Sequence, residues 1–217
     1  MQMEPLESAS LGDSVYRHLC ESLKSGRLVP GERLKIRELA ESLDTSVTPV
    51  RDAILRLIQD EGLVQKSPRD VRVPRLTPAQ YREIREIRAR LEGLAARWAA
   101  ERAQPGDIAR LADLVRENEA AIANSDWAKA LDDNQRFHFA LTGIAGLTET
   151  RTVLERLWLR MGPLIARVYA AGGRGMIDHH HALVEAIRAG DADAAEAAMV
   201  ADIAGPSELV LSVLEDT

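Results

Sequence analysis

Four of the chain's five histidines fall in its second half: His138 and the consecutive His179, His180 and His181, with His18 far upstream. A neutral imidazole offers one nitrogen lone pair to a first-row divalent ion, so spacing decides whether several can share one. Asn134 and His138 stand four residues apart, and on a helix both side chains leave the same face. Successive helical residues diverge by ~100°, so His179 and His181 are expected on other faces than His180. The plain structural alternative is a satisfied core histidine and a solvated histidine run. A second set of chemical groups lies near the N-terminus. Arg37, Thr48 and Arg51 are followed by Lys66, Arg69 and Arg72, residue types that hydrogen-bond phosphates and base edges. By spacing alone, ordinary solvated charges read the same way.

The N-terminal elements put those donors in order. From Gly12 to Ser25, Val15, Leu19 and Leu23 recur every fourth residue as the stripe of a first helix, stopped at Ser25-Gly26. The turn Val29-Pro30-Gly31-Glu32-Arg33-Leu34 leads to a second helix, Ile36 to Leu43, with Ile36, Leu39, Ala40 and Leu43 at helical spacing. After Asp44-Thr45, Ser46 is a suitable N-cap and Pro49 is tolerated in a first turn. Val50, Ile54, Leu57 and Ile58 then form the stripe of a third helix, ending near Glu61-Gly62. Leu63-Val64-Gln65-Lys66 and Val71-Arg72-Val73 read as two short strands around Ser67-Pro68-Arg69-Asp70. Two helices joined by a tight turn and followed by such a wing can set the second helix of the pair in a DNA major groove.

Pro74 to Pro78 makes a linker, and the pattern beyond it is helical. Thr77-Pro78 opens a long helix whose expected buried stripe is Ile84, Ile87, Leu91, Leu94, Ala95 and Trp98, ending before Pro105-Gly106. Further helices are expected at 107–123, 126–143, 147–171, 176–189 and 192–214, separated at Asn124-Ser125, Gly143 to Gly146, Gly172-Gly173 and Gly190. Pro206 should kink or split the last. The fold class is thus mainly α. A winged helix-turn-helix with a small β-hairpin wing, residues 10–75, precedes an all-α antiparallel bundle of about six helices, residues 78–215.

Composition agrees with this division. At 217 residues the chain has room for two cores, and its low aromatic content of 4% with abundant alanine and arginine favours helices. Residues 1–75 carry 12 Lys+Arg and 12 Asp+Glu, leaving 16 and 22 of the chain's 28 and 34, so the net charge of -6 belongs to the second part. A balanced first part binds DNA only if its cations share a face. The start, MQMEPLESASLGDS, has no basic and apolar leader pattern, and no apolar run approaches ~20 residues, so a soluble cytoplasmic protein without a membrane partner is expected. One cysteine excludes an intramolecular disulfide framework and a cysteine-based zinc cluster. Cys20, among Val15, Leu19 and Leu23, reads as a buried small hydrophobe, with a redox sensor as the alternative.

The ordered run Pro30-Gly31-Glu32-Arg33-Leu34, Arg37-Glu38-Leu39-Ala40, Thr48-Pro49-Val50-Arg51-Asp52-Ala53-Ile54, Leu57 and Glu61-Gly62-Leu63-Val64 resembles the winged helix of GntR-type regulators. The resemblance implies base or phosphate contacts by Arg37, Thr48 and Arg51, with the wing tip, including Lys66 and Arg69, reaching the adjacent groove. Two positions depart from the pattern. Val47 stands where many relatives have a polar or basic residue, and Asp70 replaces the usual wing glycine. Arg88-Ala89-Arg90-Leu91-Glu92, Asn134-Gln135-Arg136-Phe137-His138 and His180-His181-Ala182-Leu183-Val184-Glu185-Ala186-Ile187 with Gly190-Asp191 resemble the all-helical FCD ligand domain of the FadR subfamily. That likeness implies a metal set of Asn134, His138, His180 and Asp202, the last where relatives usually have a histidine. It also implies that Arg88 faces the pocket, where a planar guanidinium suits an effector carboxylate. A surface ion pair with Glu92, one turn on, is the alternative for Arg88.

Imidazoles with oxygen donors suit zinc, nickel, manganese or iron, and no organic cofactor is expected. The implied function is a transcription regulator, of repressor type and dimeric on a pseudo-palindromic operator, controlled by a small organic acid. Two other readings stay open. A metal-dependent hydrolase would use the same side chains to activate water, although no general base or glycine loop stands at a fixed spacing. A metal-free dimerisation module would leave the pocket without a ligand.

Overall fold

The computed structural model describes residues 11–171 and 173–215. Residue 10, the expected start of the first domain, and Gly172 of the expected Gly172-Gly173 break lie outside them. Helices α1 (Leu11–Lys24), α2 (Ile36–Ser42) and α3 (Val47–Gln59) form where the periodicity predicts them. Their stripes close on one another: Val15, Leu19, Leu23, Ala40, Val50, Ile54 and Leu57 join Leu63, Val71 and Val73 in one buried cluster. Ser46 does stand at the N-cap of α3, but its side chain makes no capping bond.

The wing has a third strand that the turn reading missed. Strands β1 (Arg33–Leu34), β2 (Val64–Ser67) and β3 (Asp70–Arg72) form an antiparallel sheet in the order β1-β3-β2. Arg33 pairs with Arg72 and Leu34 with Val71, which buries Leu34 in the core of this N-terminal winged helix. A two-residue strand carries no period of its own, and its partner lies far along the chain.

The second half contains α4 (Pro78–Arg102), α5 (Pro105–Ala123), α6 (Trp127–Ala145), α7 (Thr148–Ala170), a 3-10 turn Gly173–Ile177, α8 (His180–Ala189), α9 (Ala192–Ala204) and α10 (Ser207–Glu215). Thr77 caps α4 by accepting from the Gln80 N–H, while Gln80 Oε1 accepts from the Thr77 N–H at 3.0 Å. Pro78 follows at the first helical turn, where its missing donor costs nothing. Two expectations need correction. The helix expected from residue 176 begins only at His180, after the 3-10 turn, and the 192–214 pattern is two helices divided at Gly205-Pro206. The bundle therefore has seven α-helices among the described residues. The stretch Ala192–Glu215 reaches a mean hydropathy of 1.5 over its most apolar window, more than the run-length reading allowed. Its two helices have 13 and 9 residues, each short of the ~20 needed to cross a bilayer.

The α4 stripe is also rotated from its expected place. Tyr81, Ile84, Arg88, Ala89, Glu92, Ala95, Ala96 and Ala99 face the interior, whereas Ile87 is 38% exposed and Leu91, Leu94 and Trp98 are only half-buried. Small alanines let α9 approach α4 closely, so packing selected the face with small side chains over the face with large ones. Helix α7 joins the two halves. Leu159 belongs to the core of the winged helix, and Gly162 meets α1 so tightly that a Cβ there would lie 2.7 Å from the Lys24 Cα and 2.8 Å from the Leu23 oxygen.

Candidate functional site

Arg37 on α2, Thr48 and Arg51 on α3, and Lys66 and Arg69 on the wing are all exposed. Among the described residues, the charged side chains of Arg37, Arg51, Lys66 and Arg69 enter no ion pair. Arg72 differs: it is half-buried, its Nε donates to Asp70 Oδ1 at 2.9 Å, and its Nη1 donates to the Gly31 carbonyl at 3.2 Å. Asp70 also faces Arg33 Nε at 3.4 Å, so the carboxylate that replaces the wing glycine is held between two guanidinium groups. Val47 packs partly against the core of the winged helix. Cys20 is half-buried rather than buried, and burial pushes its thiol pKa up, which disfavours the thiolate that redox chemistry requires.

In the bundle, the structure brings together the four residues that the family likeness selected. Asn134 and His138 come from α6, His180 from the start of α8 and Asp202 from α9, and each is at most 5% exposed. Ligand-type atoms of His138, His180 and Asp202 all lie within 4.8 Å of one another. His138 Nε2 is 3.5 Å from Asp202 Oδ2, and His180 Nε2 is 3.3 Å from Asp202 Oδ1. Donors that share one ion through bonds of ~2.1 Å stand roughly 3.0–3.5 Å apart. Phe137 stacks on the His180 ring with centroids 4.2 Å apart and fixes its plane. His181 is exposed and reaches Glu119 at 2.9 Å, and His179 is half-buried before α8, so neither joins the group.

Several polar atoms at this point lack a hydrogen-bond partner. Asn134 Oδ1, both ring nitrogens of His180 and Asp202 Oδ1 are buried without a hydrogen-bond partner. Buried polar atoms are nearly always satisfied, and several orphaned together at one centre match what a bound ion would complete. The donor set, two imidazoles, one carboxylate and one amide oxygen, fits a divalent first-row metal. Burial alone would raise the Asp202 pKa; His180 and His138 outweigh it and hold the carboxyl below its ordinary value.

Arg88 lines the same cavity but is not at the surface. It is 6% exposed, its Nε donates to Glu92 Oε1 at 2.6 Å, and its guanidinium lies 4.7 Å from the Trp158 ring centre. The ion pair offered as a surface alternative therefore exists, in the interior. Glu92 was missed as a member of the site. Its other oxygen, Oε2, is 2.6 Å from His138 Nδ1, and the residue is 1% exposed. Burial would raise its pKa, but Arg88 and His138 outweigh that and bring it down to about 2. The four-residue spacing of Arg88 and Glu92 was visible; the contact with His138, 46 positions away, had no local sign.

Beside Asn134, His138 and Asp202 the wall includes Tyr81, Arg85, Trp158, Met161 and Ile165, and the α9–α10 break at Pro206. About 20 Å³ is open to the centre of a water molecule, room for a water or two. The walls are thus closed around the polar group, and a larger guest has to displace side chains.

Residues 11–70 match the gntR family of bacterial regulatory proteins, and residues 83–205 match the FCD domain. The chain is 33% identical over 190 residues to the HTH-type transcriptional regulator McbR of Escherichia coli, covering 86% of each protein. It is 29% identical over 224 residues to the galactonate operon transcriptional repressor of the same organism, covering 88% of this chain and 93% of that protein. The solved structure of E. coli McbR/YncC has the same fold, with a TM-score of 0.87 at 30% identity over 94% of this chain and 99% of that one. A two-part molecule with exposed donors on one part and a buried donor cluster in the other belongs, on these matches, to the GntR family of bacterial DNA-binding transcription regulators, in its FCD-containing form.

Proposed function

We propose that this regulator is a cytoplasmic homodimeric repressor whose hold on a pseudo-palindromic operator is set by a small organic acid. In this reading the winged helix, residues 10–75, reads DNA, and the bundle, residues 78–215, binds the acid through a divalent metal and Arg88. The observation that carries the reading is the set of unpartnered buried atoms on Asn134, His180 and Asp202 beside a buried guanidinium. When bound there, a divalent cation supplies open coordination positions to which a carboxylate can attach. Asn134, His138, His180 and Asp202 would hold it. Arg88 offers the guanidinium nitrogens that Glu92 does not use, and Trp158 keeps that guanidinium in place. One relative is named as repressor of a galactonate operon, and galactonate is an organic acid.

Helix α7 supports a route from acid to operator. Trp158, Met161 and Ile165 form the cavity wall, while Leu159, Gly162 and Ala166, on the adjoining face, meet the reader. Arg160 Nη1 donates to Glu61 Oε2 at 3.0 Å, beside the end of α3. An acid that pushes the cavity open must move this wall, and it shifts the reader only to the extent that it binds one arrangement more tightly. The outward stripe Ile87, Leu91, Leu94 and Trp98, with Val200 beside it on α9, is the surface we assign to a second copy of the chain.

On DNA, Arg37, Thr48 and Arg51 would meet bases and phosphates of one groove, with Lys66 and Arg69 on the neighbouring backbone. The test uses tag-free protein stripped with chelator, then reloaded with zinc, nickel, manganese or iron. Small carboxylates are screened by thermal shift, and operator duplexes selected from a random library are titrated at fixed salt. The expected result is a chelator-sensitive stabilisation by a carboxylate that also changes operator affinity. If metal-loaded protein responds to no carboxylate in either assay, the bundle is a dimerisation module and the proposal is wrong.

A further inference from the structure

We infer that Glu92 is the positioning residue of the bundle site, one buried carboxylate that orients His138 through Nδ1 and Arg88 through Nε. The inference rests on the metal and effector reading above and extends it to a residue that touches neither guest. Each Glu92 oxygen has its own partner: Oε1 accepts from Arg88 Nε and Oε2 faces His138 Nδ1, both at 2.6 Å. A carboxylate only accepts, so Nδ1 of His138 carries a proton, and Nε2 is the nitrogen left to give its lone pair to a cation. That nitrogen is the one facing Asp202, 3.5 Å away. The ring is therefore set in the tautomer that a metal ligand needs, by the carboxylate-histidine arrangement that raises ligand basicity.

His180 provides the internal contrast. No carboxylate stands at its Nδ1, which is buried without a hydrogen-bond partner, while its Nε2 faces Asp202 Oδ1 at 3.3 Å and Phe137 stacks on the ring. One imidazole of the pair is preset and the other is not. The same carboxylate fixes Arg88 on α4, so the histidine from α6 and the guanidinium for the acid are held to a common point. A purely electrostatic counter-ion for Arg88 would need no contact with His138.

The experiment separates positioning from charge neutralisation. In full-length, tag-free protein labelled with 15N-histidine, long-range nitrogen-proton spectra report the His138 tautomer, and chelator competition reports Zn2+ affinity. Wild type without metal is expected to show Nδ1–H at His138 and no such preference at His180. Glu92→Gln retains one acceptor oxygen for two partners, and a loss of Zn2+ affinity of about 10- to 100-fold is expected. Because that change strands Arg88, two double variants carry the decision. Arg88→Met with Glu92→Gln leaves an acceptor for His138 and should retain the Nδ1–H tautomer with Zn2+ affinity close to wild type. Arg88→Met with Glu92→Met removes the acceptor and should lose both. Equal tautomers and equal Zn2+ affinities in the two double variants would overturn the inference while the metal reading stands. Absence of Zn2+ binding by wild type would instead remove the metal reading, and the tautomer comparison would still decide whether Glu92 orients His138.

Discussion

The two halves of the chain set their key arginines in opposite surroundings. Arg51 on α3 is exposed and has no ion pair among the described residues, whereas Arg88 on α4 is buried, bound to Glu92 and stacked on Trp158. An exposed cation keeps its hydration and can be removed without disturbing the fold. A buried one belongs to a set whose members compensate one another, and taking one away strands the rest. Recognition and stability should therefore separate by mutation in the winged helix and remain joined in the bundle.

The strongest way to break that contrast is Glu92→Ala. It leaves Arg88 buried without a counter-charge and should cost about 3–5 kcal/mol in urea unfolding. A loss below ~1 kcal/mol would mean that the bundle's buried charges are as independent as those of the winged helix. Next comes the seam between the halves. Gly162→Ala places a methyl group against α1 backbone, 2.7 Å from Lys24 Cα, where no flexible side chain can give way. Overpacking of this kind costs about 1–3 kcal/mol, and operator affinity should fall along with stability because α1 belongs to the reader. Lower stability with unchanged DNA binding would show that α7 does not bear on the reader's arrangement.

The sequence reading succeeded where structure is local. The three reader helices, the wing turn and the Thr77 cap follow from stripes and punctuation within a few residues of one another. β1 escaped because its two residues acquire meaning only from Val71 and Arg72. In the bundle, Ile84 and Ala95 of the expected stripe are buried, but Ile87 is exposed and Leu91, Leu94 and Trp98 are only half-buried, because periodicity does not say which of two apolar faces meets the core. The site divides in the same way. Asn134 and His138 were visible as a pair on one helix, whereas His180 and Asp202 required the family likeness. Glu92 was visible only as a partner for Arg88, since its contact with His138 is created by α4 packing on α6. Asp70 shows the converse. It departs from the family pattern in sequence, and a carboxylate would repel phosphate, but Arg33 and Arg72 absorb its charge in space.

Within the reader, Arg51→Ala should weaken specific operator binding by about 1–3 kcal/mol if its guanidinium reads a base edge. Urea stability should stay within ~0.5 kcal/mol of wild type, because the side chain is exposed and supports no neighbour. Measuring both on one preparation sharpens the comparison with Glu92, where recognition and stability are expected to move together. A reader variant that loses several kcal/mol of stability would place Arg51 among the structural residues.

The smallest effect is expected at Lys66. Arg33 and Arg72 are engaged by Asp70, which leaves Lys66 and Arg69 as wing cations without an ion pair among the described residues. A lysine on a flexible stem meets a phosphate as a point charge and carries little base information. Lys66→Ala should therefore weaken operator and scrambled duplexes alike, and the slope of log affinity against log salt should become shallower by about 0.9. Anisotropy titrations of both duplexes at several salt concentrations measure the two quantities together. Loss confined to the operator, with the salt slope unchanged, would make the wing a reader of bases. Uniform loss with the expected slope keeps sequence recognition on α2 and α3, and leaves the wing to hold the duplex through its charge.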